Sequence, residues 1–247
     1  MGWAHGKKKT TITPADLKDK NVQPLINEIS NIFKDTVNSS IGYEIPAIMR
    51  QHLIDNVYVF SGCKTYDQLR KISDLLVDGE GNIKSFSRFF KDTRAVYNTY
   101  NRQYLESEYI FATQSAQMAG KWADFEAYGD RYNLQYRTAG DDRVRYAHEL
   151  LNRTTLPLSD PFWSKFLPPN GWRCRCTAVQ IRIGQYPVSD SNSAQQWGNE
   201  ATHTVGKGGV NTSAMFRFNA GKEKIIFPET HPYFDNKEVV QILKEKR

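Results

Sequence analysis

A chain of 247 residues with 39% hydrophobic and 24% charged residues holds enough apolar material for a buried core, which excludes a disordered chain. No stretch is long and apolar enough to cross a bilayer, and no apolar run follows Lys7, Lys8 and Lys9, so neither a membrane span nor a secretory leader is expected. The net charge of +6 suits nucleic acid or an acidic partner, while three cysteines, two of them one residue apart, fit a reducing compartment better than a secreted disulfide framework.

Residues 1–13 read as a basic, flexible arm in which Lys7, Lys8 and Lys9 are candidate contacts to DNA phosphates. Thr13 and Pro14 make a helix start, the threonine as cap and the proline in the first turn, and open a helical region over 14–132. Leu25, Ile26, Ile29, Ile32, Phe33 and Val37 recur at steps of three and four, as do Ile45, Ile48, Met49, His52 and Leu53, so each set predicts one apolar helical stripe. Thr65 to Leu76 predicts a short third helix, closed by the glycine-containing loop 78–82. From Ser85 to Tyr128, Phe86, Phe89, Phe90, Tyr97, Tyr100, Tyr104, Phe111, Trp122 and Phe125 keep helical spacing. They predict a long helix, or a pair broken at Gly120, whose stripe packs against other helices.

At Asn133 the period changes. Leu134, Tyr136 and Thr138 alternate with Gln135 and Arg137 as in a strand, and a short helix follows carrying Val144, Tyr146, His148, Leu150 and Leu151. Pro157, Pro161, Pro168, Pro169 and Gly171 predict an extended loop from Leu156 to Trp172 with neither helix nor strand. Cys174, Cys176, Ala178, Gln180 and Arg182 predict a second strand that pairs with the first. Residues 187–209 read as a long loop or flap, and Met215 to Phe227 as a hairpin turning at Asn219 to Gly221. Residues 236–247 read as an amphipathic helix, with Val239, Val240, Ile242 and Leu243 opposite Lys237, Lys244, Lys246 and Arg247. The predicted fold class is α+β: a helical N-terminal region with a long helix, then a small antiparallel sheet module over 133–235 with a proline-rich loop.

His148, Cys174 and Cys176 are the candidate metal ligands, because thiolate sulfur and imidazole nitrogen are the donors that tetrahedral zinc prefers. Asp160, Asp142, His203 or water would supply a fourth. On a strand the two sulfurs of Cys-x-Cys point to one face roughly 6–7 Å apart along the backbone, so the side chains must converge on one ion. The other readings are two small buried residues on the core face and a redox pair, whose bridge would close a strained ring. Eight basic residues against four acidic ones between 136 and 182 suit contact with phosphates. They equally suit guanidinium forks holding loop carbonyls and the carboxylates of Asp141, Asp142 and Asp160. Trp163 and Trp172 read as anchors of the loop in the core. There is no phosphate-cradling glycine motif, no His-Glu-x-x-His and no serine with an evident base, so no catalytic residue is assigned and the chain reads as a binding protein. The alternative is a nuclease-like or toxin activity with His148 as acid and base and the nearby arginines stabilising charge.

The run Tyr136-Arg-Thr-Ala-Gly-Asp-Asp-Arg143-Val-Arg, then His148, Asp160-Pro-Phe-Trp163 and Pro168-Pro169-Asn-Gly171-Trp172-Arg-Cys174-Arg175-Cys176, resembles the Mu F-like family of phage head morphogenesis proteins, which includes minor head proteins of the SPP1 type. The resemblance extends over roughly 85–235 and is strongest over 136–180, where Arg143, Asp160, Trp163, Pro169, Gly171, Trp172 and Arg175 are the motif residues. It implies a minor capsid protein of a tailed phage or prophage, made in the bacterial host cytoplasm and resident in the virion at the capsid interior or portal region. Its implied partners are the portal protein and the major capsid protein, with double-stranded DNA as a further ligand and no membrane.

Overall fold

The computed structural model describes residues 2–8, 10–41 and 45–246. Its helices are α1 (Gly2–Gly6), α2 (Gln23–Ser40), α3 (Ala47–Ser73), α4 (Phe86–Asn98), α5 (Leu105–Tyr128), α6 (Tyr146–Glu149), α7 (Phe162–Phe166), α8 (Ser191–Ala201), α9 (Ala220–Glu223) and α10 (Lys237–Lys244). The strands are β1 (Tyr132–Arg137), β2 (Thr155–Pro157) and β3 (Thr177–Arg182). The fold is α+β, with two compact units: Met1–Lys34 with Asp55–Tyr109 and Thr230–Arg247, and Asp35–Ile54 with Ile110–Glu229.

The first unit is helical. Where a flexible arm was expected, α1 forms and buries Ala4, and its His5 ring stands 5.2 and 5.5 Å from Phe86 and Phe89. Lys7, expected on DNA, lies 3.0 Å from Asp19; Lys8 follows it in a turn, and Lys9 lies outside the described residues, as does Arg247 of the predicted C-terminal stripe. Thr13 and Pro14 start a tight 3₁₀ turn over Pro14–Lys18 rather than an α-helix, with the Thr13 N–H donating to Asp16 at 2.8 Å.

The helices predicted at 45–53 and 65–76 are a single helix, α3. The segment between them hid this because 57–66 is buried without interruption, and a helix enclosed on all sides shows no stripe. Phe60 there meets the rings of Phe33, Tyr233 and Phe234 at 5.8, 5.4 and 6.0 Å. Ile48 and His52, counted in the predicted stripe, face solvent. The aromatic segment is helical throughout, but the interruption is a π-helical turn at Thr99–Tyr104, not Gly120, which sits buried inside α5. Phe89 and Tyr100 are buried, whereas Phe86, Phe90, Tyr97 and Tyr104 are exposed, so the expected packing stripe is half solvent-facing. A fully buried ion pair, Lys64 with Glu108, sits in this unit. α10 buries Val239 and Leu243, as its amphipathic pattern predicts.

The second unit is built on a three-stranded antiparallel sheet in the order β2-β1-β3. The expected pairing of the two strands forms, with Leu134 opposite Gln180 and Tyr136 opposite Ala178. On one face of β1, Leu134 and Tyr136 enter a core with Trp122, Phe125, Leu151, Phe162, Trp163 and Phe166. On the other face Gln135 is also buried and its Nε2 donates to Thr155 Oγ1 at 2.8 Å, while its Oε1 has no partner among the described residues.

Three stretches depart from expectation. The proline-rich loop contains β2 and the one-turn helix α7; Pro157 ends an edge strand, where its missing N–H costs nothing, and the 2.8 Å bond from Phe162 N–H to Asp160 Oδ1 starts the helix. The expected flap contains α8, capped by Asp190, whose carboxylate accepts from Ser193 N–H at 2.8 Å. This helix is polar because little of it is buried; Gly198 is, and a Cβ there would stand 2.6 Å from the Phe166 ring. The expected hairpin at 215–227 is absent, since Asn219 Oδ1 accepts from the N–H groups of Gly221 and Lys222 at 3.0 and 2.9 Å and so begins α9 instead of a turn.

Candidate metal centre

His148 stands on α6, a single helical turn whose His148 N–H bonds the Arg145 carbonyl at 2.9 Å, and only 2% of the residue is exposed. The cysteines arrive from a different direction than expected. They precede β3 rather than belonging to it: Trp172 to Cys176 is irregular, and Arg173 takes a left-handed conformation with φ of 58°. Without the strict alternation of a strand, both sulfurs turn to one point. Cys174 Sγ lies 3.6 Å and Cys176 Sγ 3.7 Å from His148 Nδ1, and the three donor atoms fall within 4.8 Å of one another.

These separations can be set against the geometry of zinc. A nitrogen about 2.0 Å and a sulfur about 2.3 Å from one tetrahedral ion stand about 3.5 Å apart. Both nitrogen–sulfur distances match, all three residues are buried, and the donor set is nitrogen and sulfur, so the trio is able to hold a metal ion.

The electrostatics favour one thiolate. Cys174 is held well below the usual thiol range, first by the hydrogen bond from Cys176 and then by His148, against the opposing effect of burial. The same hydrogen bond and burial push Cys176 up. Tyr136, fully buried beneath them, donates its hydroxyl to Asn170 Oδ1 at 2.9 Å, and burial raises its pKa far above the ordinary phenol value.

Asp160, one of the candidate fourth ligands, is not part of the group. Its Oδ1 accepts from Phe162 N–H and from Ser191 Oγ at 2.8 and 3.1 Å, joining α7 to the start of α8. His203 is exposed and outside the group, and Asp142 belongs with Arg175. Among the described residues the centre therefore has three protein donors, which leaves one position of a tetrahedron to water or another ligand.

The motif residues hold this centre in place. Arg175 grips Asp141 with two bonds of 2.6 Å, which keeps the Asp141 carboxyl below the usual carboxylate range. Arg143 reaches the same carboxylate at 3.6 Å. Arg145 donates to the Trp172 carbonyl at 2.6 Å, and a Cβ on Gly171 would stand 3.2 Å from that guanidinium, so glycine keeps the path clear. Trp163 is wholly buried and donates to the Leu156 carbonyl at 3.4 Å. Trp172 is half-buried against Phe111 and Phe216, with ring centroids at 5.3 and 5.2 Å, and Pro169 is buried after a cis peptide bond. Tyr136, Asn170 and Arg145 had no assigned place in the site. Their signal was proximity in the motif, since Tyr136 opens it and Asn170 lies inside its Pro-Pro-Asn-Gly run.

Residues 70–179 match the family described as Phage Mu protein F like protein. The chain is also similar to protein F of Escherichia phage Mu, named as a capsid assembly protein, with 33% identity over 103 residues. That alignment takes in 41% of this chain and 21% of the Mu protein, so the chain spans about a fifth of that relative's length. No solved structure matches. The matched residues 70–179 contain all three donors of the candidate metal centre, and no helix among the described residues is long and apolar enough to cross a membrane.

Proposed function

We propose that this chain is a minor capsid protein acting in head morphogenesis of a tailed phage or prophage, and that it works by binding the portal protein and the major capsid protein. Its place is the virion, at the capsid interior or portal region, with double-stranded DNA as a further ligand. The observation that carries this reading is the match of residues 70–179 to the family described as Phage Mu protein F like protein, supported by the chain's similarity to a phage protein named for capsid assembly. Zinc is the metal proposed for His148, Cys174 and Cys176, because the donors are soft and their separations fit a tetrahedral ion. Bound there, zinc would tie α6 to the segment before β3 and stabilise the folded unit.

The burial of His148 counts against the nuclease reading. His148 is 2% exposed and turns its Nδ1 to two thiols, whereas a general base must reach a substrate proton directly or through one water.

The test is co-expression of the chain with the portal and coat proteins encoded beside it, followed by sedimentation of assembled heads and quantification of this chain in them. Retention at a small fixed copy number supports the assembly role. Normal heads that exclude a soluble chain would refute it.

A further inference from the structure

The side of α4 that faces solvent carries an aromatic track beside a cationic one. Phe86, Phe90 and Tyr97 are each 46–48% exposed, and the Phe86 and Phe90 rings stand 5.9 Å apart. At about 100° per residue the three rings fall within about 40° of one another around the helix. Arg94 follows about 40° further round, then Lys91 and Arg88, and all three are exposed. The remaining side is committed to the core, where Phe89 and Val96 pack with Ile72 and Leu76. We propose that the exposed face of α4 binds single-stranded nucleic acid, its rings stacking on unpaired bases and its cations meeting the phosphates. This goes beyond the assembly reading, whose DNA is a duplex, and does not depend on it.

Charge selects an anionic ligand. Between residues 84 and 98 the charged residues are Lys84, Arg88, Lys91 and Arg94 against Asp92 alone, and Lys84 takes Asp92 at 2.9 Å. Arg88, Lys91 and Arg94 have no carboxylate partner among the described residues, so the segment keeps an excess of three positive charges. The carboxylates of the preceding loop are engaged within it. Asp78 accepts from the N–H groups of Glu80 and Asn82 at 3.0 and 2.9 Å, and Glu80 accepts from the Asn82 amide at 3.5 Å.

The rings select among anions. An acidic peptide would use the cations and leave the aromatic track wet, and a duplex would do the same because its bases are paired and stacked on one another. An unpaired strand offers both a backbone for the cations and bare base faces for the rings, the combination by which single strands are held without regard to sequence. A membrane surface fits less well, since a helix that lies in a bilayer immerses its apolar face, and that face of α4 is already in the core. From Phe86 to Tyr97 the track is about 16 Å long, the span of about five stacked nucleotides.

The test is fluorescence anisotropy of a labelled oligothymidine of about 16 nucleotides with the purified full chain, repeated over a range of salt concentrations. Saturable binding is expected, tighter than to a duplex of the same length. Phe90→Ala and Tyr97→Ala should each weaken it roughly tenfold without changing its salt dependence. Arg94→Gln should instead reduce the slope of log affinity against log salt by about 0.7. All three side chains are exposed, so the far-ultraviolet circular dichroism and melting temperature of the variants should match the parent's. No saturable binding, parental affinity in both aromatic variants, or tighter binding to the duplex would overturn the proposal. Displacement of the strand by polyglutamate as readily as by unlabelled oligothymidine would assign the face to an acidic peptide and overturn it too. Head assembly enters none of these measurements, so failure here is distinct from failure of the minor capsid reading.

Discussion

Cys174→Ser tests the metal centre most directly. In the parent chain both sulfurs already stand at nitrogen-to-sulfur separations that suit tetrahedral zinc, 3.6 and 3.7 Å from His148 Nδ1, so little movement relative to the histidine opposes binding. A ligand that binds only the folded chain stabilises it by about 2.7 kcal/mol at one hundred times its dissociation constant. For a chain of this size each kcal/mol moves the melting temperature by roughly 2–4 °C, so zinc added after chelation is expected to raise it by roughly 5–10 °C. Serine occupies the space of Cys174 but offers no thiolate, so the variant should lose bound zinc and the whole temperature shift while keeping its fold. The assay pairs elemental analysis of zinc per chain with thermal unfolding by circular dichroism, with reductant present throughout so that the thiols remain free. If the reduced parent chain retains no zinc and melts at the same temperature with and without it, the metal reading is wrong and the cysteines are buried core residues.

Three further outcomes are expected. Lys64→Met strands the Glu108 carboxylate at 2% exposure without its cation and should cost roughly 3–5 kcal/mol in urea unfolding; adding Glu108→Leu should restore most of it, and a single variant as stable as the parent would contradict the buried pair. His231 is buried, accepts the Tyr233 N–H at 3.2 Å, and is lowered by burial and by Lys64 from 6.5 to about 3. The unfolded chain therefore binds a proton that the folded chain refuses between those values, and stability should fall as pH drops from about 6.5 towards 3, by at most about 1.4 kcal/mol per pH unit from this group. His231→Gln should flatten that slope in urea titrations at stepped pH, and an unchanged slope would place the effect elsewhere. Trp163→Ala empties the centre of the second unit's core, where Trp163 is fully buried, and should cost roughly 3–5 kcal/mol by the same measurement; a loss under about 1 kcal/mol would mean the site collapses freely.

The parts of the fold visible in the sequence are those where one face of an element is buried and the other is wet. The α2 stripe and the C-terminal helix with Val239 and Leu243 have that character, and each forms; β1 forms too, but its alternation is one of polarity, since Asn133 and Gln135 are buried along with Leu134 and Tyr136. Pattern fails where burial is total or slight. The middle of α3 is enclosed and carries no stripe, while α8 meets the core at little more than Ala194 and Gly198 and reads as polar loop. Caps decide the remaining cases: the side-chain oxygens of Asp160, Asp190 and Asn219 each accept a backbone N–H and start a helix where prolines, serines or glycines suggested none.

The candidate site shows the same division between chemistry and geometry. Residue type was enough to name His148, Cys174 and Cys176, because few other side chains in the chain are soft donors. It was not enough to place them. A strand would have fixed both sulfurs roughly 6–7 Å apart along its axis. The left-handed turn at Arg173 breaks the alternation just before Cys174, and the irregular path to Thr177 lets both thiols face His148. That conformation is unfavourable for a residue with a side chain, and its cost is offset locally: Arg145 binds the preceding carbonyl, Trp172 packs on Phe111 and Phe216, and Arg175 is clamped to Asp141. Arginines and aromatic residues around the cysteines thus act as the frame that makes convergence of the donors the stable arrangement, and Arg143, Arg145, Arg173 and Arg175 line a cavity above it. A motif that spaces Trp172, Cys174 and Cys176 between arginines is accounted for by this frame, whereas two cysteines buried only for their size would need none of it.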